Sequence, residues 1–104
     1  MKIYWEFLPA EFVCERKNNT IHVYLQQDIS LLVNKSIPLQ LPVAFKINDG
    51  VVVLDAPDKR LVPVKQIFLT NSDNDGLRVI FYNRSYQVVD MNKGDLLCIL
   101  RHLN

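Results

Sequence analysis

The stretch "TNSDNDGLRVIFYN", residues 70–83, joins a turn to a strand. Its "NDG" at 74–76 supplies residues that tolerate positive φ, which the chain needs in order to reverse direction. Leu77, Val79 and Phe81 then recur at every second position, which places them on one face of a strand. The stretch therefore predicts a half-buried strand that the chain enters through a tight turn.

The same period of two recurs elsewhere along the chain and predicts three more strands with one buried face. Their inward-facing sets are Leu41, Val43, Phe45 and Ile47; Ile21, Val23 and Leu25; and Leu96, Cys98 and Leu100. Further turn signals occur as "NDG" at 48–50, "NK" at 34–35 and "NKG" at 92–94. Because no segment sustains a helical period, the chain is predicted to be all-β.

The prolines indicate where the strands are irregular, since proline cannot donate a hydrogen bond to a β-ladder. Pro38, Pro42, Pro57 and Pro63 are each expected at an edge, a bulge or a loop. The longest irregular segment is predicted at residues 55–65.

A sheet domain of this size must close or cover its edges, which favours a compact antiparallel β-barrel or sandwich. We therefore expect the two ends of the chain to pair. The aromatic segment "IYWEF" at 3–7 is predicted to supply the N-terminal strand, with Trp5 and Phe7 as anchors.

Composition limits the classes of function. The chain has 104 residues, 49% of them hydrophobic, which predicts a single domain over residues 1–104. A formal charge of +1 argues against a nucleic-acid partner or an anionic membrane. Without a signal-peptide pattern or a run long enough to span a bilayer, the sequence predicts an intracellular protein with no membrane contact.

The two cysteines, Cys14 and Cys98, lack the spacing of a zinc or redox motif. In an intracellular chain they are more typical of small buried residues than of a disulfide, although the sequence leaves their pairing open.

The order of the strands and of the residues that end them resembles the trimeric dUTPase family and its β-clip relatives. The first half of the resemblance lies in "HVYLQQDISLLVNKSIPLQLPVAFKINDGVVVLDAPDK" at 22–59, and the second in "NSDNDGLRVIFYN" at 71–83 and "VVDMNKGDLLCIL" at 88–100. Together these segments cover about residues 20–101. The resemblance implies an all-β, compact barrel or sandwich of the β-clip type.

The dUTPase family binds magnesium to the triphosphate and directs a carboxylate-activated water at phosphorus. Its first motif has an acidic residue where this chain has His22, which we interpret as an outward-facing strand residue rather than a metal ligand. Its second motif has arginine and serine after the proline, whereas Asp58 and Lys59 follow Pro57 here. The resemblance therefore implies that the phosphate-binding and metal-binding groups of these two motifs are missing.

The third and fourth motifs also depart from the family pattern. In the third motif, the family has an aspartate base where this chain has Asn71 and a tyrosine that packs against the sugar where it has Asn74. The charged residue and the glycine that follow fall on Asp75 and Gly76. An asparagine cannot accept a proton from water as a carboxylate does. After Gly94 and Asp95, the arginine and glutamine of the fourth motif are replaced by Leu96 and Ile99, and the chain ends at "RHLN" without the glycine-rich fifth motif. The resemblance thus implies a retained fold without the reaction, a cofactor or a metal.

The leading hypothesis is a non-enzymatic viral module that binds an unidentified host or viral protein. We expect a monomer, although a trimer stays open. Size and overall character resemble the telokin-like proteins of baculoviruses, which implies the cytoplasm and nucleus of a host cell. Loops and exposed tyrosines suit recognition, and these considerations select five residues for the interaction surface. They are Asp58, Lys59, Arg60, Tyr82 and Tyr86.

Two alternatives belong to other functional classes. An atypical nucleotide pyrophosphatase would use Asp73, Asp75, Asp95 and His22 in a rearranged site. A binder of nucleotides or single-stranded nucleic acid would use aromatic rings beside lysines without any chemistry.

Overall fold

Strands and turns make up the described part of the chain, residues 3–8 and 12–104 of this computed structural model. Its strands are β1 Ile3–Phe7, β2 Val13–Lys17, β3 Thr20–Tyr24, β4 Ile29–Leu31, β5 Ser36–Leu41, β6 Val43–Ile47, β7 Val51–Asp55, β8 Leu61–Pro63, β9 Ile67–Phe68, β10 Leu77–Asn83, β11 Val89–Met91 and β12 Leu96–Leu103. Over these ranges the chain contains no helix that is long and apolar enough to cross a lipid bilayer.

Four antiparallel sheets surround one core. The largest has the order β2-β3-β12-β7-β9, a second has the order β5-β10-β8, and the pairs β1-β6 and β11-β4 complete the set. Every pairing between strands in the described part of the chain is antiparallel. The predicted all-β architecture of compact antiparallel sheets is confirmed.

The period-two pattern identifies the core of the two larger sheets. The predicted inward-facing residues of β3 and β10 are all buried, and Leu100 is buried in β12. The prediction fails at the start of β12, where Leu97 is buried and Leu96 is half-buried. A bulge in the pairing with β3 between Leu96 and Cys98 shifts the alternation by one residue, so that the predicted phase is wrong at this end.

Pro42 divides the segment that was predicted to form one strand over residues 40–47. β5 pairs with β10, whereas β6 pairs with β1, so the two halves belong to different sheets. Ala44 is buried although its period predicts exposure, because β1 and the loop at 71–74 border it on that side.

The chain ends do not pair with each other, which corrects the prediction. β1 pairs with β6, because both edges of the C-terminal strand β12 are already occupied by β3 and β7. Trp5 packs edge-on against Phe45 with ring centroids 5.5 Å apart, as expected of an anchor. Phe7 is 46% exposed, so that its predicted anchoring role is wrong.

Residues with positive φ occur at each of the four predicted turns, at Asn34, Gly50, Gly76 and Gly94. Gly76 is restricted by space as well as by its φ of 114°. A Cβ at this position would lie 2.3 Å from the carbonyl oxygen of Leu41, so the turn that leads into β10 can pass β5 only as glycine.

Pro38 lies in β5, at the edge of the three-stranded sheet and opposite Ile80 of β10. The Ile80 carbonyl accepts a hydrogen bond from Val64 N at 2.8 Å, on the β8 side, so the backbone groups of Ile80 face away from β5. Ile80 and Pro38 therefore form a non-hydrogen-bonded pair. The Pro38 nitrogen, which carries no hydrogen, consequently lies on the outer edge of β5, and the predicted edge position is confirmed.

The segment predicted to be irregular, residues 55–65, is only partly so. Leu61–Pro63 forms strand β8 and pairs with Phe81–Asn83 of β10. Pro63 is tolerated there because β8 is the other edge strand of the sheet.

Both cysteines are free thiols that flank Val23 from the neighbouring strands β2 and β12. Cys98 is fully buried, as predicted, and Cys14 is half-buried. Burial raises the pKa of Cys14 to about 11 and raises the pKa of Cys98 as well.

Candidate functional site

The five residues of the predicted interaction surface come together at one end of the three-stranded sheet. Pairing of β8 with β10 places Tyr82 opposite Val62. Just beyond this pair, Arg84 N donates to the Arg60 carbonyl at 3.0 Å, which fixes the loop before β8 against the turn after β10. We name the set Asp58, Lys59, Arg60, Tyr82 and Tyr86 the Tyr86 surface.

The charged loop of the Tyr86 surface neutralises itself. Arg60 binds Asp58 through its backbone N, its Nε and its Nη2, the last at 2.6 Å from Oδ2. These hydrogen bonds lower the pKa of Asp58, and the carboxylate in turn raises the pKa of Arg60. Lys59 Nζ lies 3.0 Å from Asp55 Oδ1, so that each cation of the loop has its own carboxylate.

The two tyrosines differ in accessibility. Tyr82 is half-buried, so its predicted exposure is wrong; its hydroxyl donates to Asn34 Oδ1 at 3.1 Å, which ties it to the turn before β5. Tyr86 is 97% exposed at the tip of the turn between β10 and β11. An aromatic ring held in water at a turn is available for contact with another molecule.

Asn83 holds the turn that carries Tyr86. It is fully buried, and its Nδ2 donates to the carbonyls of Leu31 at 2.9 Å and Gln87 at 2.8 Å. Its Oδ1 accepts from Ser85 N at 2.9 Å and from Ser85 Oγ at 2.7 Å. Three of these contacts shape the turn and the fourth attaches it to β4, a role that the sequence prediction missed.

A cavity of about 130 Å³ adjoins the Tyr86 surface. Its lining residues come from the end of β7, from β8 and from the turn after β10: Leu54, Asp55, Ala56, Lys59, Leu61, Val62, Pro63, Gln66 and Arg84. We call it the Arg84 cavity. Arg84 Nε donates to the Lys59 carbonyl at 2.8 Å, which holds its guanidinium at the wall.

At the third-motif positions, polar side chains bind the chain's own backbone. Asn71 Oδ1 accepts from Ile47 N at 2.8 Å, and Ser72 Oγ accepts from Phe45 N at 2.8 Å. These two contacts attach the loop at 71–72 to β6 in the manner of a short strand. The oxygen at the base position is thus occupied in supporting the fold, while Asn74 is exposed.

The four residues of the predicted alternative enzyme site lie in three elements. Asp95 Oδ2 accepts from Asn92 N at 2.8 Å within the turn before β12, and Asp73 and Asp75 belong to the turn before β10. His22 lies in the middle of β3, on the face opposite Ile21 and Val23, as predicted. Within residues 3–8 and 12–104, no group of three or more His, Cys, Asp or Glu side chains could hold a metal ion.

His22 has one unusual feature. Its ring is stacked on Tyr24 with centroids 6.4 Å apart, and its Nδ1 is buried without a hydrogen-bond partner among the described atoms. The adjacent strands place Glu15 and Ile99 opposite it.

A second cavity, of about 190 Å³, borders the third-motif loop and the start of β10. Its wall includes the aromatic rings Phe45 and Phe68 and two cations, Lys65 and Arg78, together with Asp73. Lys65 Nζ lies 5.2 Å from the centroid of the Phe68 ring. Both rings are buried and pack edge-on against each other with centroids 6.2 Å apart, so the exposed chemistry of this cavity is that of its two cations.

Comparison with known proteins supports the fold without identifying a family. No protein-family profile matches the chain. No curated protein matches it either. Among solved structures, the dUTPase of Staphylococcus aureus phage phi11 is similar over 99% of this chain and 90% of that one, with a TM-score of 0.71 and 15% identity.

Two further dUTPases are similar to the same extent. The Staphylococcus bacteriophage 80alpha dUTPase, solved with dUpNHpp, gives a TM-score of 0.71 at 12% identity over 97% of this chain and 81% of that one. The EIAV dUTPase gives a TM-score of 0.70 at 13% identity over 96% of this chain and 88% of that one. At such identities the similarity shows the fold alone, which is the β-clip fold of dUTPases.

Proposed function

We propose that this chain is a non-enzymatic binding module that uses a dUTPase-like scaffold and contacts a host or viral protein through the Tyr86 surface. The observation that carries the proposal is the use of the polar side chains at the former motif positions. Asn71 binds Ile47 N, Asp58 binds Arg60, and Asp95 binds Asn92 N, so each is committed to its own loop. Each of these contacts ties the side chain to the local backbone or to its own loop, which supports a structural role for it.

The chemistry of these side chains also supports the absence of a reaction. The dUTPase mechanism needs a carboxylate that takes a proton from water. Asn71 is an amide at that position, and its oxygen already accepts a backbone hydrogen bond. At the second motif, the carboxylate of Asp58 would repel a triphosphate that an arginine would attract.

The scaffold has a regulatory precedent among the similar structures. The Staphylococcus bacteriophage 80alpha dUTPase is one of the phage dUTPases, which control transfer of virulence genes by a proto-oncogenic G protein-like mechanism. Control of this kind supports the idea that a dUTPase-like scaffold can have a role besides hydrolysis. On the basis of its size and overall character, we propose that the chain belongs with the telokin-like proteins of baculoviruses and acts as a monomer in the cytoplasm and nucleus of the infected cell.

Affinity capture tests the proposal with a matched control. The immobilised chain and its Tyr86→Ala and Tyr4→Ala variants are compared on the same cell extract, since Tyr4 is also exposed, at 59%, but lies on β1. We expect a protein that the wild type and Tyr4→Ala retain and that Tyr86→Ala loses, with direct binding reproduced by the purified partner. Equal retention by all three chains would contradict the assignment of the Tyr86 surface.

Enzyme activity is tested separately by incubation with dUTP, dCTP and related nucleotides in the presence of magnesium. We expect no turnover above background. Hydrolysis that requires Asp73 or Asp95 would favour the atypical pyrophosphatase instead.

The cavity beside the third-motif loop favours a second candidate function, nucleotide binding without hydrolysis. Lys65 and Arg78 line it beside two aromatic rings, and no carboxylate of the described residues forms an ion pair with either cation. Calorimetry with dUTP, with and without magnesium, and with Arg78→Gln as the control variant, tests this candidate. Retention on single-stranded DNA resin at low salt extends the test to nucleic acid.

A further inference from the structure

The Arg84 cavity carries one cation more than it has carboxylates. Lys59 and Asp55 both line it, and they neutralise each other at 3.0 Å. Arg60, just outside the cavity, is matched by Asp58. Within residues 3–8 and 12–104 no carboxylate forms an ion pair with Arg84, so its charge is the one without a counterion here.

Two hydrogen bonds fix the position of Arg84. Its backbone N donates to the Arg60 carbonyl at 3.0 Å, and its Nε donates to the Lys59 carbonyl at 2.8 Å. The Nε contact uses one of five N–H donors, and the two Nη groups make no hydrogen bond within the described residues. A guanidinium held by its Nε is preorganised to bind a carboxylate through the remaining donors, at a smaller entropic cost than a free arginine.

The size and lining of the cavity limit the ligand. A volume of about 130 Å³ equals that of about four water molecules in the liquid, which accommodates a carboxylate and a short aliphatic stem. Leu54, Ala56 and Val62 supply apolar wall for such a stem. The Asp55 carboxylate is the one repulsive group of the lining, and Lys59 compensates its charge.

The position of the cavity connects it with the Tyr86 surface. Arg84 and Tyr86 belong to the same turn, which the buried amide of Asn83 holds in shape through Ser85 and Gln87. A partner that covers the exposed Tyr86 ring therefore meets the same turn that carries Arg84.

From these observations we propose that the Arg84 cavity is a carboxylate-binding site, which receives an acidic group of the protein that covers Tyr86. The inference rests on the proposed function, because the partner supplies the carboxylate. That carboxylate is either an Asp or Glu side chain or the C-terminus of the partner's chain. Either source offers the planar pair of oxygens that the guanidinium complements.

Small probes test the site on the intact chain by NMR titration. N-acetyl-glutamate amide presents a side-chain carboxylate, N-acetyl-glycine presents a terminal carboxylate, and N-acetyl-glutamine amide is the uncharged match for the first. We expect saturable shifts at the Arg84 Nε–H and at the backbone amides of Lys59 and Gln66 with one or both carboxylates. The glutamine probe should leave these signals unchanged.

The variants separate charge, geometry and folding. Arg84→Gln should weaken carboxylate binding about tenfold or more, since a charge-assisted contact is lost. Arg84→Lys should recover only part of it, because lysine lacks the planar fork. Arg101→Gln, which removes an exposed arginine on β12, should bind like the wild type. Thermal unfolding of each variant verifies that it is folded.

The outcomes distinguish this inference from the proposed function. Equal shifts with glutamate and glutamine probes, or binding that Arg84→Gln leaves unchanged, would overturn the carboxylate site. If the probes fail while the wild type still captures a Tyr86-dependent protein, only the inference is wrong. If the probes bind but no such protein is captured, the site stands and the proposed partner surface is wrong.

Discussion

Replacing Asn83 with alanine should be the most disruptive polar substitution in the turn that carries Tyr86. The change removes two donations and two acceptances by one buried amide. The Leu31 carbonyl would lose its side-chain donor, and an unsatisfied buried group costs about 1–3 kcal/mol. Water can replace the amide at Ser85 and Gln87, so those contacts together add about the net contribution of one hydrogen bond, roughly 1 kcal/mol. We therefore expect a loss of about 2–4 kcal/mol in the free energy of unfolding.

Urea and thermal unfolding measure this loss. In a domain of this size, about 4–8 °C of melting temperature corresponds to 1 kcal/mol, so Asn83→Ala should melt about 10–30 °C lower than the wild type. Asn19→Ala is the matched control, because Asn19 is exposed in the turn between β2 and β3. It should change the melting temperature by no more than a few degrees.

Asn83→Asp separates donation from packing. The introduced carboxylate keeps the shape and the acceptor for Ser85, but its second oxygen would face the carbonyls of Leu31 and Gln87. Repulsion and burial should raise the pKa of that carboxyl in the folded state above its unfolded value. The folded chain then binds more protons, so the destabilisation should lessen as the pH is lowered. A loss below 1 kcal/mol for Asn83→Ala, or a pH-independent loss for Asn83→Asp, would refute the reasoning.

Three other predictions concern the turns, the thiols and the charged loop. Gly76→Ala should destabilise the chain more than Gly94→Ala, as measured by urea unfolding. Both glycines have positive φ, but of the two only Gly76 lies where a Cβ would meet a backbone carbonyl. Equal losses in the free energy of unfolding would contradict this steric argument. Because burial raises the pKa of both free thiols, that of Cys14 from 9.0 to about 11, the stability that they contribute should be constant below pH 9 and fall as the pH rises above it. A double variant without thiols should lose this alkaline slope in pH-dependent unfolding. Because Arg60 lowers the pKa of Asp58, their contact should persist at pH values below the ordinary aspartate pKa and be lost as the pH falls through the lowered pKa. An NMR titration of the Arg60 Nε–H should show this transition in the wild type and not in Asp58→Asn.

The sequence predicts buried faces and turns well, because each depends on neighbouring residues. Alternation identifies the inward faces of β3 and β10, and the positive-φ residues mark four reversals. Pairing between distant strands is harder to predict, because it depends on which edges are already occupied. The expected pairing of the chain ends was wrong for that reason, since β12 lies between β3 and β7. The sequence also did not predict the bulge near Leu97, because the apolar pattern does not show where one extra residue interrupts the pairing.

The candidate site was only partly visible in the sequence. Its loop and tyrosines could be named, but their proximity depends on the pairing of β8 with β10. Asn83 could have been found, because it continues the alternation of Leu77, Val79 and Phe81 and is therefore a polar residue in an inward position. Such a residue must find partners for its amide, and here those partners define the turn. Arg84 had no comparable signal, since its importance arises from the cavity that it lines.

The proline on the outer edge of β5 has a consequence for behaviour at high concentration. A row of free amide hydrogens along an edge strand is a template on which another chain can grow a sheet. At Pro38 that row has a gap at its centre, so an incoming strand would lose a bond where alignment should begin. The chain can thus present apolar residues near this edge while resisting the stacking that leads to fibrils.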